Sequence, residues 1–426
     1  MKRGFLIGWI AVWALIFVPL AGLAEEPKSV PFGELPGGKI RVGKMKVIPE
    51  LSVSEIYDDN IYSGNGTNQQ NEREESDWLT EIRPGLMFDY ALPGNRGNIQ
   101  AGYSGALVYY AGEEENDWQN HSGFLNVNYK APGGLMFNLA ERYTDAEDPY
   151  GSPDQYAIGR PKTERWSNDL NAGLGFEFSR KFRIIGRYGY YKQDYDQLQD
   201  FTQDYEIQKF GGGFQMLIPK FAKTWAFLRY FYADQDYFSH PAGLGVTERN
   251  DADRDWHEVT AGLTWDSGAK LRGELRFGYA WYNFDNERDP AGNLYEDKDT
   301  WVAATNLQYQ MRENTRFSFG LMRAVRTTGA ASKEFFEDTS IRAGVVQGLW
   351  HRFFIKADVS YSQNEYNLPV RDPREDDNYY ASLILEYLIQ DWLKAGVGYD
   401  WTEKESNYDA NDYTKNRAWV FLKAKY

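Results

Sequence analysis

From Lys46 to Tyr426 the chain alternates apolar and polar residues in segments of about 9 to 14 residues, the length at which a tilted strand crosses a bilayer. Trp78, Thr80, Ile82, Pro84, Leu86, Phe88 and Tyr90 share one face, while Glu81, Arg83, Gly85 and Asp89 occupy the other. The same split recurs at Ile99, Ala101, Tyr103, Leu107 and Tyr109 against Asn98, Gln100, Gly102 and Ser104. Between Leu271 and Trp281, Leu271, Gly273, Leu275, Phe277, Tyr279 and Trp281 oppose Arg272, Glu274, Arg276, Gly278 and Ala280. Near the end, Ala418, Val420, Leu422, Ala424 and Tyr426 alternate with Arg417, Trp419, Phe421, Lys423 and Lys425. Side chains alternate across a strand with period two, so this pattern predicts strands with one face in apolar surroundings and one in polar surroundings.

The separators set the topology. Eight short ones (Ala91 to Gly97, Lys130 to Gly134, Ser179 to Lys181, Pro219 to Lys223, Asp266 to Ala269, Arg312 to Asn314, Trp350 to His351, Gln390 to Asp391) alternate with long acidic ones. The nine long ones are Asp58 to Ser76, Ala111 to Asp117, Asp145 to Arg165, Asp194 to Asp204, Gln235 to Arg254, Asp285 to Asp299, Thr328 to Glu334, Asn367 to Asp376 and Lys404 to Tyr413. Seventeen connections join eighteen strands. An even strand number puts both termini on one side, with the short turns expected in the periplasm and the loops outside. In hydrocarbon every backbone N–H and C=O must be paired, so such a sheet has to close. The expected fold is all-β: a transmembrane antiparallel up-and-down β-barrel of about 18 strands, wide enough for a water-filled lumen.

The N-terminus reads differently. Met1-Lys2-Arg3 precedes an apolar run from Gly4 to Val18, then Pro19 and Ala21-Gly22-Leu23-Ala24. That run falls short of the roughly 20 residues of a membrane-spanning helix and fits a secretory signal peptide over 1–24, cleaved after Ala24. Residues 25–45 hold scattered Pro and Gly without a period and are expected to form a flexible periplasmic tail. The barrel is expected over 46–426.

Composition narrows the picture further. There are 31 Tyr, 25 Phe and 14 Trp beside 16 Pro and no Cys. A secreted chain without cysteine cannot lean on disulfides and must be held by burial or a closed ladder. Mean hydropathy is −0.64. Net charge is −15, which argues against nucleic acid as a partner. Aromatics near predicted strand ends (Tyr57, Trp78, Tyr90, Trp166, Trp256, Trp265, Trp301, Tyr309, Trp392, Trp401 and Trp419) are expected at headgroup depth in outer-membrane lipid. Tyr426, closing an alternating strand, resembles the C-terminal aromatic signal that engages the barrel-insertion machinery.

The first strand and its exit read Val47-Ile48-Pro49-Glu50-Leu51-Ser52-Val53-Ser54-Glu55-Ile56-Tyr57-Asp58-Asp59-Asn60-Ile61-Tyr62. Pro49, Tyr57, Asp58, Asp59, Asn60 and Ile61 make this opening similar to that of putative β-barrel porin family 2. The resemblance implies an outer-membrane barrel, no catalytic residue, and an association with exopolysaccharide export. Read from the residues themselves, Asp58-Asp59-Asn60 is open to two readings: an Asx-bonded turn, or oxygens offered to calcium.

Other chemistry is sparse. His121, His240, His257 and His351 lie far apart, and no cofactor or metal is expected. No Gly-x-Ser-x-Gly elbow is present, and no enzymatic activity is expected. Gly211-Gly212-Gly213 sits inside an alternating strand, where glycine marks a kink or a close approach rather than a phosphate loop. Arg83, Asp169, Glu177, Arg183, Arg187, Arg272, Glu274, Arg276, Lys356 and Asp358 occupy the inner parity and are candidates to line the lumen. They either neutralise one another or set which solutes pass. Two functions stay open: a porin-like channel for polysaccharide or hydrophilic solutes, with polysaccharide and periplasmic export components as candidate partners, and a surface anchor whose acidic loops bind matrix polymer, cations or partner proteins.

Overall fold

The computed structural model describes residues 34–35, 37–66, 73–149, 162–196, 204–219, 224–238, 253–265, 270–287, 297–327, 335–350, 352–366 and 373–426. The signal segment 1–24, the turn 266–269 and the loop 328–334 lie outside them. The strands are β1 (Ile40–Val42), β2 (Met45–Asp58), β3 (Asp77–Ala91), β4 (Gly97–Tyr110), β5 (Trp118–Lys130), β6 (Leu135–Pro149), β7 (Lys162–Ser179), β8 (Phe182–Tyr195) and β9 (Tyr205–Leu217). They continue as β10 (Thr224–Tyr237), β11 (Arg254–Trp265), β12 (Leu271–Phe284), β13 (Lys298–Arg312), β14 (Thr315–Thr327), β15 (Phe335–Gly348), β16 (Phe353–Tyr366), β17 (Glu375–Gln390), β18 (Leu393–Ser406) and β19 (Tyr413–Lys425).

Each strand from β2 onward pairs antiparallel with its sequence neighbours, and β19 pairs with β2 from Arg417↔Asp58 to Lys425↔Glu50. The eighteen strands β2 to β19 therefore form a closed barrel, as the alternation predicts. The register carries the pattern around the circumference. Leu383 and Leu385 on β17, Val397 on β18, and Val420 and Leu422 on β19 are all exposed on the outer face. Aromatic pairs bracket that apolar belt, among them Tyr57 with Trp78 at 5.4 Å at the loop end and Phe353 with Tyr387 at 4.7 Å at the short-turn end, between ring centroids.

Turn chemistry holds the short-turn end together. Gly97 takes φ +134, and a Cβ there would lie 1.9 Å from the Asn128 carbonyl oxygen, so only glycine fits. Register shifts at Glu177/Ser179, Gln310/Arg312 and Leu388/Gln390 all fall beside short turns, where a bulge closes a tight hairpin.

Three expectations need correction. Strands at the loop end run further than the polar sequence suggests. β6 and β7 stay paired out to Pro149↔Lys162, within the expected loop from Asp145 to Arg165. Cross-strand ion pairs, Arg165 with Asp148 at 2.5 Å and Lys162 with Glu147 at 3.0 Å, give these charged residues partners in the ladder. Trp256 and Trp419 belong to the inner face: Trp256 pairs in register with Tyr282, which shares that parity and stacks on it at 5.6 Å, and Trp419 pairs with Gly398 on the parity of Arg417 and Asp400. Finally, Ile40–Val42, inside the stretch expected to be an aperiodic tail, form β1 against β2. Just before it Leu35 is buried, Glu34 lies 3.8 Å from Arg316 of β14, and the Gly38 N–H donates to the Tyr426 carbonyl at 2.8 Å. Residues 34–35 and 37–42 thereby touch the short-turn ends of both β14 and β19.

Candidate functional site

The inner face of the barrel carries the polar chemistry, and it falls into two contrasting walls. The first runs across β8 to β12. Among the described residues its inner positions hold Arg183, Arg187, Lys209, Arg229, Arg254, Arg272 and Arg276 against two carboxylates, Glu258 and Glu274. Several of these cations lie on aromatic rings. The Arg183 guanidinium sits 4.0 Å from the Trp225 ring centroid, Arg229 sits 3.7 Å from Phe227, and the Lys209 ammonium 5.1 Å from Phe231. Arg229 also donates two hydrogen bonds to Glu274, at 2.7 and 2.8 Å.

The glycine run makes room for this arrangement. Gly211 and Gly213 face inward on β9, and a Cβ on Gly211 would come within 2.0 Å of the Phe231 ring. One on Gly213 would meet Arg229 Cγ at 2.7 Å. The run is thus a close-approach surface over which the β10 side chains lie flat. Ile185, Arg187, Gln215, Arg229 and Phe231 pack closely around it.

The second wall runs from β15 through β19 and β2 to β3. Here each inward cation stands against a carboxylate. Arg342 pairs with Asp358 at 3.1 Å, and Lys356 and Lys394 share Glu386 at 2.9 and 2.8 Å. Lys404 pairs with Asp376 at 2.9 Å, and Arg417 with Asp400 at 3.0 Å. Lys415 meets Asp58 at 2.9 Å, Lys423 and Lys425 converge on Glu50, Lys46 reaches Asp89 at 3.2 Å, and Arg83 reaches Glu81 at 2.7 Å.

The ten residues expected at the lumen are thus distributed unevenly. Arg183, Arg187, Glu274 and Arg276 gather on the first wall, with Arg276 3.8 Å from Glu258. Glu177 bonds Lys130 at 2.6 Å and lies 4.0 Å from Arg183. Arg272 donates to Gln308 at 3.0 and 2.6 Å, and Asp169 accepts from Asn171 at 2.6 Å. Arg83, Lys356 and Asp358 belong to the second wall. Sequence parity missed Arg229, Lys209, Glu386 and Asp400, which complete the two sets.

The opening motif forms a latch at the seam where β19 meets β2. The Asn60 N–H donates to Asp58 Oδ1 at 3.0 Å, which is the Asx turn. The Asn60 side chain is fully buried and donates to the carbonyls of Gly64 at 2.9 Å and Thr414 at 2.8 Å, while its Oδ1 accepts from the Gly64 N–H at 3.0 Å. Asp59 accepts from both the backbone and the side-chain nitrogen of Asn416, at 2.6 and 2.7 Å. Ile61 and Tyr62 then turn inward onto Leu79, Val108 and Tyr110. The Tyr62 hydroxyl donates to Glu113 at 2.7 Å, and burial together with that carboxylate pushes its pKa up. Among the described residues no three His, Asp or Glu are grouped to hold a metal ion.

The sequence model of the family described as Putative beta-barrel porin 2 matches residues 36–426. No protein with a curated description matches the chain. Among solved structures, OccAB4 of Acinetobacter baumannii is similar with a TM-score of 0.43 at 10% identity, covering 89% of this chain and 98% of that one. The loop L8 deletion mutant of OmpT, an outer membrane protein of Vibrio cholerae, gives 0.37 at 10% identity over 90% and 99% of the two chains. The siderophore receptor PirA of Pseudomonas aeruginosa gives 0.39 at 7% identity over 89% and 80%.

Proposed function

The chain belongs to the Putative beta-barrel porin 2 family, and from that membership we propose that it is an outer-membrane channel through which hydrophilic solutes, polysaccharide among them, cross. What carries the reading is the contrast between faces: charged and amide side chains point inward on both walls while an apolar belt is exposed outward. A closed barrel of eighteen strands has more interior than its side chains fill. In this reading the signal segment 1–24 is removed after Ala24 and residues 25–45 lie in the periplasm. The short turns also face the periplasm, the long loops face outward, and Tyr426 presents the insertion signal. The inward-facing charges, Arg83, Asp169, Glu177, Arg183, Arg187, Arg272, Glu274, Arg276, Lys356 and Asp358 among them, line the passage.

A second reading rests on the loop end. There Tyr205, Ile207, Ala233 and Tyr237 form a buried cluster with Tyr191, Trp256 and Phe284 packed against it. Apolar packing inside the mouth suits an anchor that displays acidic loops. Single-channel recording of the refolded mature chain in planar bilayers separates the two. A channel gives conductance steps that added neutral and anionic oligosaccharides block. Folded, inserted barrels without conductance at any voltage overturn it in favour of the anchor.

A further inference from the structure

The chain ahead of β2 does not leave the barrel at its short-turn end but turns back into it. β1 prolongs the ladder beyond the last pair of β19: it pairs with β2 from Ile40↔Val47 to Val42↔Met45, whereas β19 ends at Lys425↔Glu50. Just before β1 stand two left-handed glycines, Gly37 at φ +59 and Gly38 at φ +72, a conformation that other residues rarely adopt. They turn the chain off the ladder and lay it on inward-facing side chains. A Cβ on Gly37 would come within 2.8 Å of Ile48 Cγ2 and 3.0 Å of Lys425 Cγ. Ile48 and Lys425 take the parity opposite to Leu51, Val53, Val420 and Leu422, which are exposed on the outer face. The Gly38 N–H donates to the Tyr426 carbonyl at 2.8 Å, and the Lys39 ammonium lies 5.4 Å from the Tyr426 ring centroid.

The other end of this segment touches a distant part of the wall. Glu34 lies 3.8 Å from Arg316 of β14, and Arg316 faces inward, opposite in parity to the exposed Phe317 and Phe319. Leu35, beside Glu34, is 3% exposed. Five steps between neighbouring strands separate β19 from β14, about 24 Å along the wall. Four residues separate Glu34 from Gly38, and a backbone of that length spans at most about 14 Å. The segment therefore cannot follow the wall. It cuts across the interior as a chord, and the side chains of Glu34 and Arg316 bridge the rest.

Resting on the channel reading above, we propose that residues 34–35 and 37–39 form a strap that narrows the passage at its short-turn mouth, and that flow rises when the strap is released. The contacts that seat it lie outside the ladder of β2 to β19, so the barrel stays closed whether the strap is seated or free.

The test reads position and flow separately. The chain has no cysteine, so Leu35→Cys provides a single thiol. In folded barrels in detergent micelles, where both mouths meet the reagent, a water-soluble maleimide is expected to label it severalfold more slowly than in the urea-unfolded chain. Adding Gly37→Val, which drives a side chain into Ile48 and Lys425, is expected to restore fast labelling. In planar bilayers Gly37→Val and, independently, Leu35→Asp are each expected to raise single-channel conductance severalfold over the native chain; two separate variants guard against a folding failure of one. Fast labelling of Leu35→Cys in folded barrels overturns the seating of the strap. Slow labelling with conductance unchanged in both folded variants places the segment clear of the passage and overturns its restricting role while leaving the channel. A silent native chain that conducts in either variant supports the strap and the channel together. Folded barrels that stay silent in the native chain and in both variants remove the channel reading and this inference with it.

Discussion

The β8 to β12 wall and the wall from β15 round to β3 solve the same problem by different chemistry. Both must place charged side chains inside a barrel without leaving them in apolar surroundings. The second does it with carboxylates: Glu386 serves Lys356 and Lys394, and Glu50 serves Lys423 and Lys425. The first has fewer carboxylates and adds rings: Trp225 lies under Arg183, Phe231 under Lys209, and Phe227 under Arg229, which also holds Glu274. Carboxylate pairing fixes geometry and cancels charge. A ring under the cation fixes geometry without itself supplying a counter-charge. One circumference therefore holds a sector of matched ion pairs and a sector where inward cations outnumber the inward carboxylates of the same strands among the described residues.

That contrast can be broken in graded steps. Glu386→Ala strips two cations of their shared acceptor, and losing one partner of a buried pair costs about 3 to 5 kcal/mol. Urea unfolding from lipid vesicles should show it, and an unchanged midpoint would mean that the lysines are solvated rather than paired. Asn60→Ala, at the seam of the paired wall, removes three hydrogen bonds worth about 1 kcal/mol each. The same unfolding assay should place its loss near 3 kcal/mol, whereas a loss below 1 would show that Asp59 and Asn416 alone close the seam. On the other wall, Trp225→Leu keeps apolar bulk but removes the ring beneath Arg183, at a cost of about 1 to 2 kcal/mol. A cost as large as that of Glu386→Ala would erase the distinction between the walls. Arg83→Gln breaks an ion pair whose arginine side chain is 59% exposed, and surface-like pairs of this kind contribute at most about 1 kcal/mol.

The strand and turn pattern was legible because outer apolar and inner polar residues alternate, as at Leu271 to Trp281. It failed where both faces of a strand are apolar. On β10, Ala226, Leu228, Tyr230 and Tyr232 point outward, yet Trp225, Phe227 and Phe231 point inward. Arg229 lies among these rings, so parity gave no sign that it completes the cationic set. Trp256 was misplaced for the same reason: position near a strand end does not tell a headgroup ring from an interior one. The carboxylate partners were hidden differently. Glu386 meets Lys394 through the β17 to β18 register, and Asp400 meets Arg417 through that of β18 and β19, so pairing depends on registers that a single strand does not encode. The Asx turn at Asp58 to Asn60 could be read locally, but its bonds to Thr414 and Asn416 exist only once the barrel closes.

The most direct test of passage through the interior is swelling of proteoliposomes that carry the refolded mature chain, placed in isotonic arabinose. Swelling above protein-free vesicles, faster for arabinose than for a larger neutral sugar at equal osmolarity, is the predicted result. Vesicles that hold folded, correctly inserted barrels and swell no faster than empty ones would contradict it.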